Sequence, residues 1–389
     1  MKKLRNDELD PTVIDWPVYM RRAIDLAGNV ISASPNPRVG CVLVAGEQIV
    51  GEGWHVAPGE DHAEVMALKQ AGAKARGATA FVSLEPCSHT GRTGPCSDAL
   101  IDAGVGQVVI ASIDPNPDVS GQGAERLIAA GIEVTQLLEF DSIARAVNPG
   151  YFKRRECGLP FVRVKIAMSL DGKTALANGE SKWISSPAAR RDVQLLRAAS
   201  GAVLTGIETV LVDDPALNVR VDELPLTADA LARNQALLDR QPLRVVLDSR
   251  YRLPPSARIT QEPGSVLVFG AAPPAEKRGN AANMEYRQAG DGERVNLQTV
   301  LESLASEMAC TDVLVEAGAT LSTAFLQAGL VDEMIVYIAP KLLGSDARAL
   351  LNIAGISAIA EAPEFEISDL HQIDQDIRVT LKPRANRTP

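Results

Sequence analysis

Short apolar runs, each closed by a glycine or a polar turn, recur along almost the whole chain, and segments with helical spacing lie between them. In the first part the runs are ATAFVSL, GQVVIAS and IEVTQLL, alternating with HAEVMALKQAG, CSDALIDAG and GAERLIAAG. Near-continuous apolar strands are those buried on both faces of a sheet, and helices of this length suffice to carry the chain from one parallel strand to the next. Such a chain folds as α/β layers, with helices covering a sheet. At 389 residues it is too long for one ordinary domain, so two such units are expected.

DWPVYMRRAIDLAG, with Asp15 as cap, Pro17 in the first turn and Gly28 at its close, predicts a helix. VGCVLVAGEQIVGEG predicts a hairpin turning near Gly46. This rhythm runs to about residue 145, where AVNPGYFKRRECGLP breaks it with Pro149, Gly150, a basic cluster and Pro160. The expected organisation is therefore a polar extension over 1–15, a first domain over 16–147, a linker over 148–160 and a second domain over 161–389. In the second domain FVRVKIAMSL, GAVLTG, LRVVLDS, SVLVFG and DVLVEAG predict strands of a largely parallel sheet, followed by VDEMIVYIAP, EFEISDL and DIRVTLK. SSPAARRDVQLLRAASG predicts a helix entered through Ser-Pro. The stretches 221–242 and 271–296 lack periodicity and are expected to be surface insertions.

The composition, 46% hydrophobic and 23% charged, is that of a soluble globular protein able to bury sizeable cores. No stretch approaches the ~20 apolar residues of a membrane span. MKKLRNDELDPTVID has no apolar segment after its positive residues, so a cytoplasmic location is expected. A net charge of −10 disfavours nucleic acid as partner but leaves room for a small phosphorylated substrate. A homo-oligomer is the expected assembly. Cysteine is sparse and odd in number (Cys41, Cys87, Cys96, Cys157, Cys310). In a reducing compartment a clustered pair of cysteines points to a metal or to catalysis before it points to a disulfide.

That pair lies in LEPCSHTGRTGPC, Leu84 to Cys96, downstream of DHAEV, Asp61 to Val65. His62 and Cys87 each stand where a helix is about to begin or has just begun, a setting that favours thiolate. One His and two Cys leave zinc's fourth position open, which is a catalytic arrangement. The metal would bring a water's pKa from ~15.7 towards ~7, and Glu64 would shuttle its proton to a leaving nitrogen. H-x-E followed by P-C and a second Cys is the signature of zinc deaminases. A closed structural site would need a fourth donor, for which His55 and His89 are available. The eight residues between Cys87 and Cys96 exceed the usual deaminase spacing, and they include His89 and Arg92, suited to the polar parts and the phosphate of a substrate.

NPRVGCVLV, GEGWH, HAEVMAL, LEPCSHTGRTGPC and DPNP together resemble the deaminase half of the bifunctional riboflavin-pathway deaminase–reductases. The resemblance implies a cytidine-deaminase-like α/β/α layered domain. Its substrate would be 2,5-diamino-6-(5-phosphoribosylamino)pyrimidin-4(3H)-one, which loses its 2-amino group as ammonia. It further implies that Asn36 and His55 contact the ring and that His89 and Arg92 serve the substrate.

The second half says less by itself. No G-x-G-x-x-G stands at a strand–helix junction, so a Rossmann dinucleotide fold is not supported, while EAGATLSTAFLQAG offers a Gly-rich turn at Gly318 leading into a helix suited to phosphate. KIAMSLDGKTALANGESKWIS, ARRDVQLLRA, TVLVDDPALNVR, VVLDS, LVEAGATL and VDEMIVYIAPKLLG resemble the reductase half of the same family. That resemblance implies a dihydrofolate-reductase-like α/β domain that uses NADPH to reduce the ribosyl group to ribityl. Ala167, Trp183, Thr209, Asp213, Ser249 and the helix start Gly318, Ala319, Thr320, Leu321, Ser322, Thr323 and Ala324 would lie along the cofactor. Ser181, Arg197, Leu217, Arg220 and Glu316 would hold the substrate, with Arg197 and Arg220 as phosphate clamps. The competing readings are a nucleic-acid or nucleoside deaminase with an appended nucleotide-binding domain, and a structural zinc module.

Overall fold

The computed structural model describes residues 15–88, 94–274 and 283–384. Among them two large sheets carry the fold, one in each of two compact units. The first unit falls within Met1–Gly158 and Thr227–Leu237, the second within Leu159–Leu226 and Leu238–Pro389.

The first unit runs α1 (Trp16–Ala27), β1 (Gly40–Ala45), β2 (Gln48–Trp54), α2 (Ala63–Ala71), β3 (Thr79–Val82), α3 (Cys96–Ala103), β4 (Gln107–Ile110), α4 (Gln122–Ala129), β5 (Glu133–Gln136), α5 (Asp141–Val147) and α6 (Pro149–Cys157). Its sheet has the order β2-β1-β3-β4-β5, with the β1–β2 hairpin antiparallel and β3, β4 and β5 parallel. Alternation along β1 serves two cores. Cys41 and Leu43 pack with Ala63, Ala67 and Leu100 of α2 and α3, while Val42 and Val44 pack with Met20, Ala23 and Ala144 of α1 and α5. The result is helices on both faces of a sheet, each fully buried Val, Leu or Phe contributing about 1.5–3 kcal/mol.

Two glycines set how α2 meets β2. A Cβ at Gly51 would stand 2.2 Å from the Ala67 carbonyl oxygen, and one at Gly53 would stand 2.2 Å from that of Ala63. The helix therefore rests directly on the strand's backbone.

The stretch expected to be a linker contains α6, with Pro149 at its start and Tyr151 and Phe152 buried. Asn148 accepts from the Arg38 N–H at 2.8 Å and donates to the Arg38 carbonyl at 2.8 Å. The Arg38 guanidinium donates to the Val147 carbonyl. The segment 221–242, expected at the surface, contains α9 (Ala228–Arg233) and α10 (Gln235–Leu238). Between them Asn234 is 3% exposed and accepts from the Ile31 N–H at 2.7 Å, inside the first unit. That segment is not a plain surface insertion, and its anchor lies too far away in sequence for periodicity to reveal it.

The second unit contains β6 (Phe161–Ser169), β7 (Lys173–Ala175), α7 (Pro187–Ala198), β8 (Ala202–Gly206), α8 (Ile207–Asp213), β9 (Leu243–Leu247), α11 (Arg258–Gln261) and β10 (Val266–Gly270). It continues with β11 (Met284–Gln288), α12 (Leu297–Ser306), β12 (Asp312–Glu316), α13 (Ala319–Gln327), β13 (Glu333–Ala339), β14 (Arg348–Ala349), β15 (Phe365–Ile373) and β16 (Asp376–Pro383). Its main sheet has the order β11-β10-β9-β8-β12-β6-β13-β16-β15. From β11 to β13 neighbouring strands are parallel, and β16 and β15 close one edge antiparallel. One face packs Val162, Val164, Val245 and Val315 against α12 and α13, and the other packs Val203, Val246 and Leu314 against α8 and Tyr251. With seven strands parallel, the loops after their C-terminal ends gather on one edge, where ligands bind in sheets of this kind.

Candidate active sites

In the first unit His62 is the N-cap of α2, Glu64 lies in that helix's first turn, and Cys96 opens α3 behind the N-cap Pro95. The donor atoms of His62, Cys87 and Cys96 all lie within 4.8 Å of one another. His62 Nδ1 is 3.1 Å from Cys96 Sγ and 3.7 Å from Cys87 Sγ. Tetrahedral zinc with ~2.3 Å bonds to sulfur and ~2.0–2.1 Å to nitrogen puts its ligands about 3.5–3.8 Å apart, close to these separations.

The acid–base balance of the sulfurs points the same way. Cys87 lies well below the ordinary thiol range because Cys96 hydrogen-bonds to it, His62 adds a second contact, and the Cys96 N–H donates to it at 3.3 Å. Cys96 is driven far up by that same bond and by burial. The pair can both be thiolates only with a cation between them, so the donor set suits zinc. The His62 imidazole is raised by its contact with Cys87. All five cysteines are free of disulfides.

Glu64 is 3% exposed, and burial followed by the Cys87 charge pushes its carboxyl up to about 7. His55, a candidate fourth ligand, is outside the three-donor cluster. Its Nδ1 lies 3.1 Å from the Asp61 carbonyl and must donate to it, so the neutral ring's Nε2 accepts from Asn36 Nδ2 at 3.0 Å. Burial lowers its pKa, consistent with the neutral form. Both His55 nitrogens therefore have protein partners. Its ring packs edge-on against that of His62, centroids 4.9 Å apart. His89 and Arg92 lie outside the described residues.

Sequence reasoning missed two buried acids near Cys87. Asp114, 5% exposed, accepts through Oδ1 from the Tyr151 hydroxyl at 2.8 Å and from the Asn116 N–H at 2.8 Å, and feels the Cys87 charge. Glu85, two residues before Cys87, accepts from the backbone N–H groups of Asp114, Gly121 and Ala124 and so caps α4 from outside. The only signals in the chain were DPNP itself and a buried acid in LEPC.

In the second unit Glu316 ends β12 opposite Lys165 of β6 in register. Arg197 of α7 grips it with both arms, Nε to Oε1 at 2.6 Å and Nη2 to Oε2 at 3.0 Å, and Lys165 Nζ stands 3.8 Å from Oε2. Burial pushes the Glu316 carboxyl up, but Arg197 and Lys165 outweigh it and hold the group below its usual value. Burial lowers the Lys165 ammonium pKa in spite of Glu316. Lys165 was not singled out in the sequence, where VRVKIAM looks like an ordinary strand with one polar face.

Both arginines expected as phosphate clamps have carboxylate partners. Arg197 holds Glu316, and Arg220 holds Glu223 at 2.6 and 2.8 Å. The Arg220 pair is the more exposed, with side chains 35% and 38% accessible. Ser181 donates to Asp213 at 3.3 Å, and Lys182 donates to the Asp213 carbonyl at 2.8 Å. Leu217 adopts φ +53° with its side chain in the core. Trp183 is 62% exposed with the Arg190 guanidinium 4.3 Å over its ring. Gly318 is the N-cap of α13, Ser322 and Thr323 in that helix are buried, Ala167 lies within β6 two residues before its end, Thr209 lies in the first turn of α8 after β8, and Ser249 follows β9.

Residues 17–112 match the family model described as the cytidine and deoxycytidylate deaminase zinc-binding region, and residues 160–379 match the RibD C-terminal domain. The riboflavin biosynthesis protein RibD of Escherichia coli (strain K12) is 49% identical over 364 residues, which cover 93% of this chain and 98% of that one. The chain belongs to the RibD family. Among solved RibD structures, that of Acinetobacter baumannii (form 1) superposes with a TM-score of 0.85 at 47% identity, covering 95% of this chain and 99% of that one. A diaminohydroxyphosphoribosylaminopyrimidine deaminase/5-amino-6-(5-phosphoribosylamino)uracil reductase from Thermotoga maritima superposes with a TM-score of 0.81 at 32% identity, with the same coverage. As in the RibD family, the first unit has the cytidine-deaminase-like fold and the second the dihydrofolate-reductase-like fold.

Proposed function

We infer that this chain catalyses two consecutive steps of riboflavin biosynthesis. It deaminates 2,5-diamino-6-(5-phosphoribosylamino)pyrimidin-4(3H)-one hydrolytically, then reduces the ribosyl group with NADPH to give 5-amino-6-(5-phosphoribitylamino)uracil. The observation that carries the first step is the convergence of His62, Cys87 and Cys96 beside the buried Glu64.

His62, Cys87 and Cys96 are proposed to hold one zinc ion. Zinc so held supplies a Lewis acid that brings the pKa of a water from ~15.7 to about 7. Glu64 takes up a proton and hands it to the departing 2-amino nitrogen, a task that suits a buried carboxyl two residues from His62. His55 fixes the Asn36 amide so that its oxygen is left for the pyrimidine ring. His89 and Arg92 are proposed to serve the same substrate, and the buried Asp114 offers it a further acceptor.

In the reductase half the path proposed for NADPH follows Ala167, Trp183, Thr209, Asp213, Ser249 and the α13 start from Gly318 to Ala324, supported by the shared sheet edge. NADPH supplies the hydride to the sugar's C1′. Ser181, Arg197, Leu217, Arg220 and Glu316 are proposed to hold the substrate, with Arg220 exchanging Glu223 for phosphate. To Lys165, an amine whose proton is loosened by burial beside Glu316, we assign the proton that opening of the sugar ring requires.

Domain limits are proposed at 16–147 for the deaminase and 161–389 for the reductase, joined over 148–160, with α6 and the segment Thr227–Leu237 falling in the first compact unit. The net charge of −10 supports a small phosphorylated substrate over nucleic acid. No helix among the described residues is long and apolar enough to cross a membrane, which supports a cytoplasmic reading. Ile367 and Leu370, 61% and 59% exposed on the edge strand β15, support a homo-oligomer. The deciding experiment supplies the pyrimidine phosphate to purified protein and follows ammonia release and NADPH oxidation, with and without a zinc chelator. Chelation should stop ammonia release while leaving reduction of added deaminated intermediate intact. Undiminished ammonia release from metal-free protein would refute the zinc mechanism.

A further inference from the structure

We infer that Arg250, with the Ser249 hydroxyl beside it, binds the 2′-phosphate of the dinucleotide and thereby makes the reductase choose NADPH over NADH. The inference rests on the cofactor path proposed above and adds the residue that reads the phosphate.

The direction of the cofactor follows from the sheet. Glu316, Lys165 and Arg197 gather at the junction of β12 and β6, so the sugar and the hydride-donating end belong there. The free N–H groups at the start of α13, which follows β12, suit the pyrophosphate. The adenosine half must then run away from β6, towards β8 and β9 in the order β9-β8-β12-β6. With neighbouring strands ~4.8 Å apart, the end of β9 lies about 10 Å along the edge from the end of β12, which is where the adenosine ribose falls.

Ser249 and Arg250 stand at that end of β9. The Ser249 carbonyl accepts from the Ala271 N–H at 3.3 Å and its hydroxyl oxygen accepts from the Val295 N–H at 3.3 Å. The serine is thus fixed by the loops that follow β10 and β11, and its hydroxyl proton is left to donate. Arg250 is exposed and has no hydrogen-bond or ion-pair partner among the described residues. Its neighbours differ. Arg252 donates to Glu208 at 2.5 Å and approaches Asp248 at 3.9 Å, and Arg287 is held by Glu285 and Glu307. Arg294, on the loop whose Val295 reaches Ser249, is exposed and likewise has no partner among the described residues, but it shares that loop with Asp291 and Glu293. An exposed arginine is commonplace. One left uncommitted next to a donor hydroxyl, a ribose away from the pyrophosphate position, matches a phosphate monoester that NADPH carries and NADH lacks.

The test uses the full chain with saturating deaminated substrate and compares kcat/KM for NADPH and NADH. Arg250→Gln should lower the NADPH value about 10- to 100-fold, mainly through KM, which is the span of a charge-assisted hydrogen bond. The NADH value should stay unchanged, and Arg250→Glu should shift preference further towards NADH. As a competitor, 2′,5′-ADP should lose potency against Arg250→Gln while AMP does not. An unaltered NADPH-to-NADH ratio, or a matching fall for both, overturns the inference. The cofactor path is checked separately by Gly318→Asp, since a Cβ there meets nothing within 4 Å. The added charge should weaken both cofactors alike, and no effect on either would sink the path itself, whereas the ratio in Arg250→Gln judges Arg250 alone.

Discussion

The two sites are assembled in opposite ways. In the first, three donors and a buried acid come from residues 62 to 96, carried on two helix starts and one loop. In the second, the groups that face one another come from Lys165, Arg197 and Glu316, on β6, α7 and β12, and meet only because parallel strands bring their ends to one edge. A metal demands particular donor atoms at short range, so its site is written as a local motif. Hydride transfer between two bound molecules demands shape, orientation and field, which many residues can share.

Substitutions can break or sharpen that contrast. Glu64→Gln should cut ammonia release about 10²–10⁴-fold, while metal analysis still finds zinc and reduction of added intermediate is unaffected. If zinc left with the carboxylate, Glu64 would belong to the metal's own shell and the division of labour would be wrong. Lys165→Met should slow NADPH oxidation about 10²-fold with deamination intact, and a reductase of normal kcat would return the proton to solvent. Gly53→Ala should cost about 1–3 kcal/mol in thermal unfolding, because the new methyl meets the Ala63 carbonyl oxygen at 2.2 Å, and zinc occupancy should fall with it. Smallest of all, Tyr151→Phe removes one hydrogen bond to Asp114, about 1 kcal/mol, and should raise the deaminase KM several-fold while the reductase KM stays put.

Legibility in the sequence followed the same division. The strands, the principal helices and the convergence of His62, Cys87 and Cys96 were readable because apolar period and donor type act locally. Lys165 was not, since its meaning depends on Glu316, some 150 residues further on. Arg197 and Arg220 read as phosphate clamps or salt-bridge partners, and the carboxylates they hold, Glu316 and Glu223, cannot be assigned from the chain alone. The segment 148–160 read as a linker because Pro149 and Gly150 usually end structure, whereas here Pro149 opens α6 and Gly150 is buried. The helices around Asn234 went unseen for a related reason: the contact that orders them is with Ile31.

The mutual bonds between Arg38 and Asn148 bear on any attempt to separate the two activities by cutting the polypeptide. Trimming at Val147 would strip the Arg38 amide of its acceptor and Asp114 of the Tyr151 hydroxyl, although neither lost residue lies within the apparent catalytic half. A cut after Gly158 keeps both, yet still forfeits Asn234 and strands the Ile31 amide. Freestanding deaminase made this way should therefore be recoverable but softer than the same residues within the intact chain.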